Sequence, residues 1–593
     1  MDISQALAGY ITKMVSVGDS PSAGQSAKMK ILLLDRETVS IISTATTQSA
    51  LLNHDVYLTD RLENATREKM RHLRCLCFIR PSPESIQLLI DELREPKYGE
   101  YYIYFSNVVL KSSLERLAEA DDHEVVRSVQ EYFGDYMVIN PDFMSLELTY
   151  PTHRIWGSSP ELWNPEALQR STEGLLALIL SLKKKPLIRY ARNSLLAKKL
   201  ATEVRYRMTQ EEQLFDFRKP DTPPILLIVD RRDDPVTPLL TQWTYQAMVH
   251  ELLGVKNGRV DLSDVPDIRP EMKEIVLQQD TDPFFAKNMF LNFGDLGQNA
   301  KEYVEQYASK RQGTQEMNSI GDMKRFVEEY PEFRKLSSNV TKHITLVGEL
   351  SRRVGQEDLL DVSELEQSLA CNDNHNQDLK KLQMLLTATH IPPTNKLRLV
   401  AIYALRYSKL PTSALPSLLD TLRTHTTLSP ASLALIPHLL TFHATLSTIP
   451  SANTLVPPLF QSSSFLADAR SRLQRGLKGV ANVYTQHTPR LEATIQDLVR
   501  GKLRDSVYPF VEGGGLTRDK AQDVLVFVVG GATYEEARMV AGVNASTPGV
   551  RIVLGGTGTV NSEAFLGDVE MAVRGWGLEG DGGAEGRLRS AVG

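Results

Sequence analysis

Three strand-length runs of aliphatic and aromatic residues constrain the fold of this chain more than any other feature. They are ILLIVD (Ile225–Asp230), DVLVFVVGG (Asp523–Gly531) and VRIVLGG (Val550–Gly556). Strands without polar alternation are typical of parallel sheets that helices cover on both faces. A helical pattern, Ala532–Val543, separates the second run from the third, as such a sheet requires. Because the first run lies far from the other two, we expect one sheet built from both halves of the sequence, with a large insertion between them.

The N-terminal segment shows the same alternation of strand and helix patterns. It contains two neighbouring cysteines, Cys75 and Cys77, which are expected to pack in a core. Strand patterns occur at Lys30–Asp35, Val56–Leu58, Leu73–Ile79, Tyr101–Phe105 and Tyr136–Ile139, and helical patterns at Glu84–Leu93 and Leu114–Phe133. We therefore predict a second parallel sheet in this segment.

The insertion between the two halves is predicted to be almost entirely helical. One part of it carries apolar residues mostly three or four positions apart, which predicts a long amphipathic helix. Pro331 interrupts this stripe, and because proline removes one intrahelical hydrogen bond, we expect a kink or a break there. The shorter pattern Asn299–Arg311 precedes the stripe, so a helical hairpin is predicted at about 295–352.

These patterns predict an α/β fold with three domains. The first is an α/β domain at 1–139, the second a discontinuous α/β domain at 140–246 and 489–593, and the third the helical insertion at 247–488. Pro411–Ser464 is rich in Ser, Thr, Pro and Leu, which predicts short helices with proline stops or irregular loops. The glycine-rich stretch from Gly575 is predicted to be a flexible tail.

Charge and composition exclude several functional classes. The 67 basic and 73 acidic side chains give a net charge of −6, so the chain as a whole lacks the basic footprint of a nucleic-acid-binding protein. Three cysteines are too few for a disulfide framework and fit a reducing compartment. The N-terminal residues do not form a secretory signal, and no apolar run approaches the ~20 residues of a membrane-spanning helix. We expect a soluble, monomeric, cytosolic protein that reaches membranes peripherally, through partners.

Catalytic and metal-binding motifs are incomplete. The chain has no G-x-x-x-x-G-K-[ST] phosphate loop and no G-x-S-x-G nucleophile elbow. His250-Glu251 is followed by Gly254 where a zinc-protease motif needs its second histidine. We therefore predict no metal, no cofactor and no catalytic residue. One alternative stays open, because the glycine turns that begin at Gly530 and Gly555 follow strands and could hold a phosphate.

A charged, proline-rich segment, DRRDD (Asp230–Asp234), follows the first apolar strand. It lies at the carboxyl end of that strand, where α/β enzymes place active sites. The flanking prolines favour instead a rigid corner held by ion pairs and helix caps.

This segment resembles the central motif of the SM (Sec/Munc-like) family of SNARE-binding vesicle-fusion proteins. The matching pattern is Asp230-Arg231-x-x-Asp234-x-x-x-Pro238-Leu239-Leu240. Further similarity follows the family's order, at the LLLD strand, at VYLTDRL (Val56–Leu62) and at Val526–Leu566. Ser113–Asp122 and the GGATYEEAR form are most similar to the endosomal and trans-Golgi, vacuolar-protein-sorting branch.

The resemblance implies a three-domain arch around a central cavity that receives a syntaxin-type (Qa) SNARE or an assembling SNARE bundle. It implies that the helical hairpin templates SNARE pairing, and that a pocket on the first domain binds the N-terminal peptide of the partner. The implied hairpin positions are Phe326, Tyr330, Pro331, Phe333, Leu336 and Val340, and the implied pocket positions are Leu114, Leu117, Val126, Glu131 and Phe133. The apolar residues in both sets have a second interpretation, as the core of their own domain.

The resemblance therefore predicts a regulator of SNARE-mediated membrane fusion, not an enzyme, in endosomal, Golgi or vacuolar trafficking. Endosomal tethering factors are expected as further partners. The protein is expected in the cytoplasm and at the surface of those membranes. Two alternatives stay open: a nucleotide-binding α/β enzyme that uses the glycine turns, and a tethering scaffold that does not bind SNAREs.

Overall fold

The computed structural model describes residues 1–17, 29–266, 268–315, 320–447, 459–460, 483–512 and 520–577, and at 306–315 and 320–337 it describes the backbone alone. The chain divides into two compact units. The first consists of Met1–Arg231, Thr494–Ala532 and Met539–Thr559, and the second of Arg232–Ala493, Thr533–Arg538 and Val560–Gly593. The three-domain division with the bounds given above stays a prediction.

The first unit contains a parallel five-stranded sheet in the order β2-β1-β3-β4-β5. β1 is buried along its whole length, and Cys75 and Cys77 lie buried in the core of this sheet. The strands are β1 (Lys30–Leu34), β2 (Val56–Arg61), β3 (Met70–Ile79), β4 (Tyr98–Phe105) and β5 (Val126–Glu131). The helices of this part of the chain are α1 (Ile3–Val15), α2 (Arg36–Ala45), α3 (Gln48–Leu52), α4 (Pro83–Arg94) and α5 (Lys111–Ala120).

The helical pattern predicted for Leu114–Phe133 is wrong in its second half. Helix α5 ends at Ala120, and the chain then forms β5, which pairs in parallel with β4. The carboxylate of Asp121 closes the turn between them, because it accepts hydrogen bonds from the backbone N–H groups of Val125 (2.9 Å) and Val126 (3.1 Å). An aspartate that binds nearby backbone competes with helix formation, and β-branched valines favour a strand.

The second sheet of this unit has six strands in the order β6-β7-β13-β12-β9-β8. β12 (Asp523–Val529) is buried throughout and pairs in parallel with β9 (Ile225–Asp230) on one side and β13 (Arg551–Gly556) on the other. The three apolar runs therefore lie side by side. The other elements are β6 (Met137–Asn140), β7 (Phe143–Ser145), β8 (Leu187–Tyr190), α6 (Pro165–Ser181) and α7 (Leu195–Gln210).

The strand predicted at Tyr136–Ile139 belongs to this second sheet and not to the first. It is β6, which pairs antiparallel with β7. The connection through Pro141 and Asp142 is short, and a short connection joins antiparallel strands, whereas parallel strands need a crossover.

The second unit is mainly helical, with one antiparallel strand pair, β10 (Arg259–Asp261) and β11 (Glu274–Val276). The helices in its main segment are α8 (Tyr245–Leu252), α9 (Pro283–Asn288), α10 (Phe293–Gln315), α11 (Ile320–Gln356), α12 (Leu359–Cys371), α13 (His375–Thr387), α14 (Pro393–Tyr407), α15 (Leu415–His425) and α16 (Pro430–Ser447). The chain's last described helices are α17 (Arg490–Val499), α18 (Tyr534–Ser546) and α19 (Ser562–Gly575).

The predicted hairpin corresponds to α10 and α11, which pack against each other. The backbone is helical from Ile320 to Gln356, so α11 does not end at Pro331. Of the two outcomes expected at this proline, the break is therefore wrong.

Helices α15 and α16 confirm short helices in the first part of Pro411–Ser464. Residues 448–458 and 461–464 of this stretch, and the predicted tail from residue 578, lie outside the described residues.

Candidate partner-binding sites

The start of the DRRDD segment is tied to the second sheet. The Ser194 hydroxyl donates to the buried Asp230 carboxylate at 2.6 Å, and the Arg231 Nε donates to the Gly531 carbonyl at 3.0 Å. Arg231 is itself buried, so these two family-motif residues lie inside the first unit. Their contacts are those of a structural corner.

The glycine turns after β12 and β13 are closed by the protein itself. A Cβ on Gly530 would lie 2.7 Å from Cβ of Arg231, and a Cβ on Gly556 would lie 2.7 Å from the backbone nitrogen of Ala532. Gly530 also has φ +94°, in the left-handed region that glycine favours. Tight packing and backbone conformation account for these glycines, so the turns offer no support for the nucleotide alternative.

The end of the segment caps a turn in the second unit. Asp234 accepts hydrogen bonds from the backbone N–H (3.1 Å) and the hydroxyl (2.6 Å) of Thr237. The backbone N–H of Arg490 donates to the same carboxylate at 3.1 Å. Pro238 is buried in the 3-10 turn Thr237–Leu239 that follows. Asp234 and Pro238 thus fix the path of the chain.

The five predicted pocket residues lie on α5, on β5 and just beyond it. Leu117 is only 5% exposed and belongs to the core of the first sheet. Leu114 and Val126 are half-buried and pack against that core, and Phe133 is also half-buried. The carboxylate of Glu131 accepts a hydrogen bond from the backbone N–H of Val109 at 2.8 Å. Burial raises the pKa of Glu131, although this hydrogen bond opposes the rise.

Sequence reasoning missed two apolar side chains beside this group. Leu110, at the start of α5, and Val129, on β5, are 67% and 44% exposed. β5 lies at the edge of its sheet, so its outer side has no strand partner among the described residues. The helical interpretation of Leu114–Phe133 hid this edge, whereas strand alternation would have placed Val129 on an outer face.

The structure places the predicted hairpin residues on α11. Val340 is 4% exposed, so it packs inside the helical unit. The side chains of Phe326, Tyr330, Pro331, Phe333 and Leu336 lie outside the described residues, and only their helical backbone is described.

A buried polar chain fixes α11 below these positions, and sequence reasoning missed it. Tyr245 and His343 Nδ1 are 2.8 Å apart, and His343 Nε2 lies 2.8 Å from Asp282 Oδ2. Asp282 also caps α9, since it accepts from the backbone N–H of Phe285 at 3.0 Å. One neutral imidazole satisfies both contacts if Tyr245 donates to Nδ1 and Nε2–H donates to Asp282.

The pKa shifts agree with this assignment of protons. Burial lowers the pKa of His343, which keeps its ring neutral. Burial opposes the charge of Asp282, but its hydrogen bond with His343 and the charge of Lys342 hold its pKa at about 2. The chain therefore joins α8, α9 and α11 through one ionised carboxylate and one neutral histidine.

A second buried network lies around Arg398 on α14. Its guanidinium is 2.7 Å from Glu251 on α8 and 2.7 Å from Glu366 on α12. It also donates to Thr241 (2.8 Å) and to Ser562 on α19 (3.2 Å). Glu251, considered above as part of a broken zinc motif, is thus a structural ion-pair partner.

The histidine of that broken motif is also structural. His250 lies against the ring of Tyr534, and burial lowers its pKa to about 4. Within the described part of the chain, no group of three or more His, Cys, Asp or Glu side chains is placed to hold a metal ion.

Comparison with known proteins places these sites in a family. The profile of the Sec1 family matches residues 30–568. This chain belongs to the Sec1 family.

Its relatives within the Sec1 family are similar over nearly their whole length. The human vacuolar protein sorting-associated protein 45 is 45% identical over 570 residues, which cover 96% of each chain. The Schizosaccharomyces pombe protein of that name is 46% identical over 573 residues, 96% of this chain and 99% of that one. The resemblance to the SM family, and to its vacuolar-protein-sorting branch, is confirmed.

Solved Sec1-family structures confirm the predicted α/β fold class. The structure titled SM Protein Vps45 in Complex with Qa SNARE Tlg2 has a TM-score of 0.90 and 63% identity, over 97% of this chain and 99% of that one. The Unc18–syntaxin 1 complex from Monosiga brevicollis, at 19% identity and a TM-score of 0.77, shows the same fold. Among the described helices, none has the length and hydropathy needed to cross a bilayer.

Proposed function

We propose that this chain binds a syntaxin-type Qa SNARE and promotes assembly of the SNARE complex in endosomal, Golgi or vacuolar trafficking. The observation that carries the proposal is the 63% identity, over 97% of this chain, to Vps45 solved with the Qa SNARE Tlg2. The proposal includes a three-domain arch with the bounds predicted above, and a cytoplasmic protein at the surface of those membranes.

The first proposed contact is a peptide pocket at α5 and β5. Leu114, Val126 and Phe133 are half-buried, so each has apolar surface that a peptide side chain could cover. Glu131 would meet a basic residue of the N-terminal peptide and tune specificity more than affinity. Leu117 would support the socket from below, because it lies in the core.

The second proposed contact is the hairpin of α10 and α11. Phe326, Tyr330, Phe333 and Leu336 recur three or four positions apart along α11 and would present an apolar stripe to a partner helix. Val340 lies at the foot of this stripe and is packed inside its own unit. Pro331 would set the balance between two packings of the helix.

The test is a calorimetric titration of the whole chain with the cytoplasmic region of an endosomal Qa SNARE, with and without its N-terminal peptide. Tight binding that weakens without the peptide supports both proposed contacts. Tight binding that ignores the peptide leaves only the hairpin contact. No binding to any Qa SNARE contradicts the proposal and favours the tethering scaffold, which a pull-down of tethering factors then tests.

A charge-reversal pair sharpens the pocket test. Glu131→Lys should weaken peptide binding at least several-fold, since it replaces the rim charge with its opposite. Glu115→Lys is the matched control, because Glu115 is exposed on α5. Leu117→Arg would place a charge in the core, so thermal unfolding must accompany any loss of binding by that variant.

An enzymatic role has weaker support. The names of the relatives describe protein sorting, and the glycine turns are closed by Arg231 and Ala532. A titration with nucleotides tests this alternative directly, and saturable binding would reopen it.

A further inference from the structure

Helix α7 buries one face and exposes another. Leu196, Leu200 and Val204 are fully buried, whereas Leu195 is 38% and Tyr206 is 56% exposed. Leu195 and Tyr206 are separated by about three helical turns at ~3.6 residues per turn, so they project from the same side. The outer face of this helix therefore carries one apolar and one amphipathic side chain.

Cations lie between and beside these two side chains. Lys198 and Lys199 are exposed on α7, and Arg192 is exposed just before the helix begins. Lys199 pairs with Glu203 at 3.5 Å. Lys198 and Arg192 form no ion pair with any residue that the structure describes.

A second segment brings more positive charge to the same place. The Arg192 backbone N–H donates to the Val507 carbonyl at 2.9 Å, and its guanidinium donates to the Ser506 carbonyl at 3.3 Å. The turn that leads to these residues thus lies beside the start of α7. Its exposed cations, which have no ion pair in the described part of the chain, are Arg500, Lys502 and Arg504.

The charge of this surface contrasts with that of the whole chain. Residues 189–203 and 497–505 contain seven arginines and lysines and three carboxylates, whereas the whole chain has a net charge of −6. Of the three carboxylates, Asp505 pairs with Arg189 and Glu203 with Lys199. Positive charge is therefore concentrated here against the overall acidity, which points to an anionic partner.

We infer that the exposed face of α7 and the turn at 500–504 dock directly on an anionic phospholipid membrane. Lysines and arginines would meet the headgroups, Tyr206 would lie at headgroup level, and Leu195 would enter the acyl boundary. An acidic peptide fits less well, because the outer face of a single helix offers no groove. This contact adds to attachment through a SNARE partner and does not depend on the proposed function.

The experiment is flotation of the whole chain with vesicles of phosphatidylcholine and phosphatidylserine, and with pure phosphatidylcholine vesicles as the neutral comparison. The wild type should bind the mixed vesicles, lose binding as salt rises, and ignore the neutral ones. The patch variant should bind roughly a hundredfold more weakly, since each basic residue near an anionic surface contributes about fivefold. It combines Lys198→Glu, Lys502→Glu and Arg504→Glu.

A control variant makes the same change in net charge elsewhere, at three exposed lysines. It combines Lys13→Glu, Lys69→Glu and Lys380→Glu. The control should bind mixed vesicles like the wild type, and both variants should keep the wild-type unfolding temperature. The double variant Leu195→Ser with Tyr206→Ser should lose part of the binding and make the remainder more sensitive to salt.

Three results would overturn the inference. The first is equal binding of the wild type to mixed and neutral vesicles, or to neither. The second is equal loss in the control and patch variants, which would show a response to net charge alone. The third is saturable binding of a polyglutamate peptide that mixed vesicles do not compete, which would assign the patch to an acidic protein.

Discussion

Arg398 is a cation held among helices between two carboxylates. Its side chain is 6% exposed, and those of Glu251 and Glu366 are 8% and 0% exposed. Burial alone would lower the pKa of Arg398, but the two carboxylates raise it. The group therefore stays charged, and the helical unit depends on all its partners being present.

Removal of this cation should destabilise the protein strongly. Arg398→Met leaves two carboxylates without their partner and should cost about 3–5 kcal/mol of unfolding free energy. Urea denaturation followed by circular dichroism measures the change. Arg423→Met removes an exposed ion pair with Asp420 and should cost about 1 kcal/mol or less. Equal losses in the two variants would show that the buried network is not special.

Asp35 lies at the carboxyl end of β1, next to that of β3, where the direction of strand order reverses. Its carboxylate accepts hydrogen bonds from Thr38 (2.8 Å), from the Arg80 backbone (2.6 Å) and from Ser85 (2.8 Å). A position that binds ligands in many α/β proteins is thus saturated by the chain itself.

The stability of the protein should depend on the ionisation of Asp35. Burial raises its pKa to about 6 from an ordinary value of 3.8, although the hydrogen bonds oppose this. The folded protein binds this proton more tightly, so the stabilisation is complete below pH 3.8 and is lost as the pH rises through about 6. Unfolding temperatures of wild type and Asp35→Asn across this range measure the effect. The wild type should lose stability relative to the variant as the pH rises, and a difference that does not change with pH would contradict the assignment.

At the scale of single elements, α11 combines a fixed lower part with a proline. His343 is 1% exposed and joins α11 to Tyr245 and Asp282. Pro331 lies farther along the same helix, in backbone that is helical on both sides. Anchorage and a missing backbone donor thus occur in one helix.

The anchor should be sensitive to loss of its imidazole. His343→Leu leaves the Tyr245 hydroxyl and one carboxylate oxygen of Asp282 without a partner, each at a cost of about 1–3 kcal/mol. Hydrogen exchange of amides 340–356 should accelerate. Ile344→Ser is the neighbouring control, because Ile344 is 46% exposed, and it should leave exchange nearly unchanged. Unaltered exchange in His343→Leu would contradict the anchoring role.

The proline should affect the stability of the helix and the rate of SNARE assembly. Because α11 already continues through Pro331, Pro331→Ala should restore a hydrogen bond and strengthen the helix by up to about 3 kcal/mol, without lengthening it. Hydrogen exchange and SNARE assembly kinetics measure the two effects. Pro430→Ala, at the first residue of α16, should change neither, since that position needs no backbone donor. Normal folding with an unchanged assembly rate would argue against a hinge.

At the scale of the whole molecule, the second sheet joins distant parts of the chain. β9 pairs with β12, and Lys184 binds Asp523 at 2.6 Å across the same long separation. The central strand is thus supplied last, after the helical insertion has been made.

A chain truncated after Pro509 should therefore fail to fold its second sheet. It lacks β12 and β13, so β9 would lose its neighbour on one side and expose apolar surface. Limited proteolysis and near-ultraviolet circular dichroism test this expectation. A protease-resistant fragment that spans residues 140–231 would contradict it, whereas resistance confined to the first sheet would agree.

The sequence by itself determined the fold class, the apolar strands and the family. A run such as Asp523–Val529 can be satisfied only by burial on both faces, and a multi-segment motif is specific without coordinates. The tertiary structure decided which strands pair, and so it turned Val126–Glu131 into an edge strand and moved Met137–Asn140 to the other sheet. It also placed Leu117 in a core, Arg398 between two carboxylates and the cations of α7 beside those at 500–504. These features depend on partners far away along the chain, and local propensity and spacing carry no information about which distant residues meet.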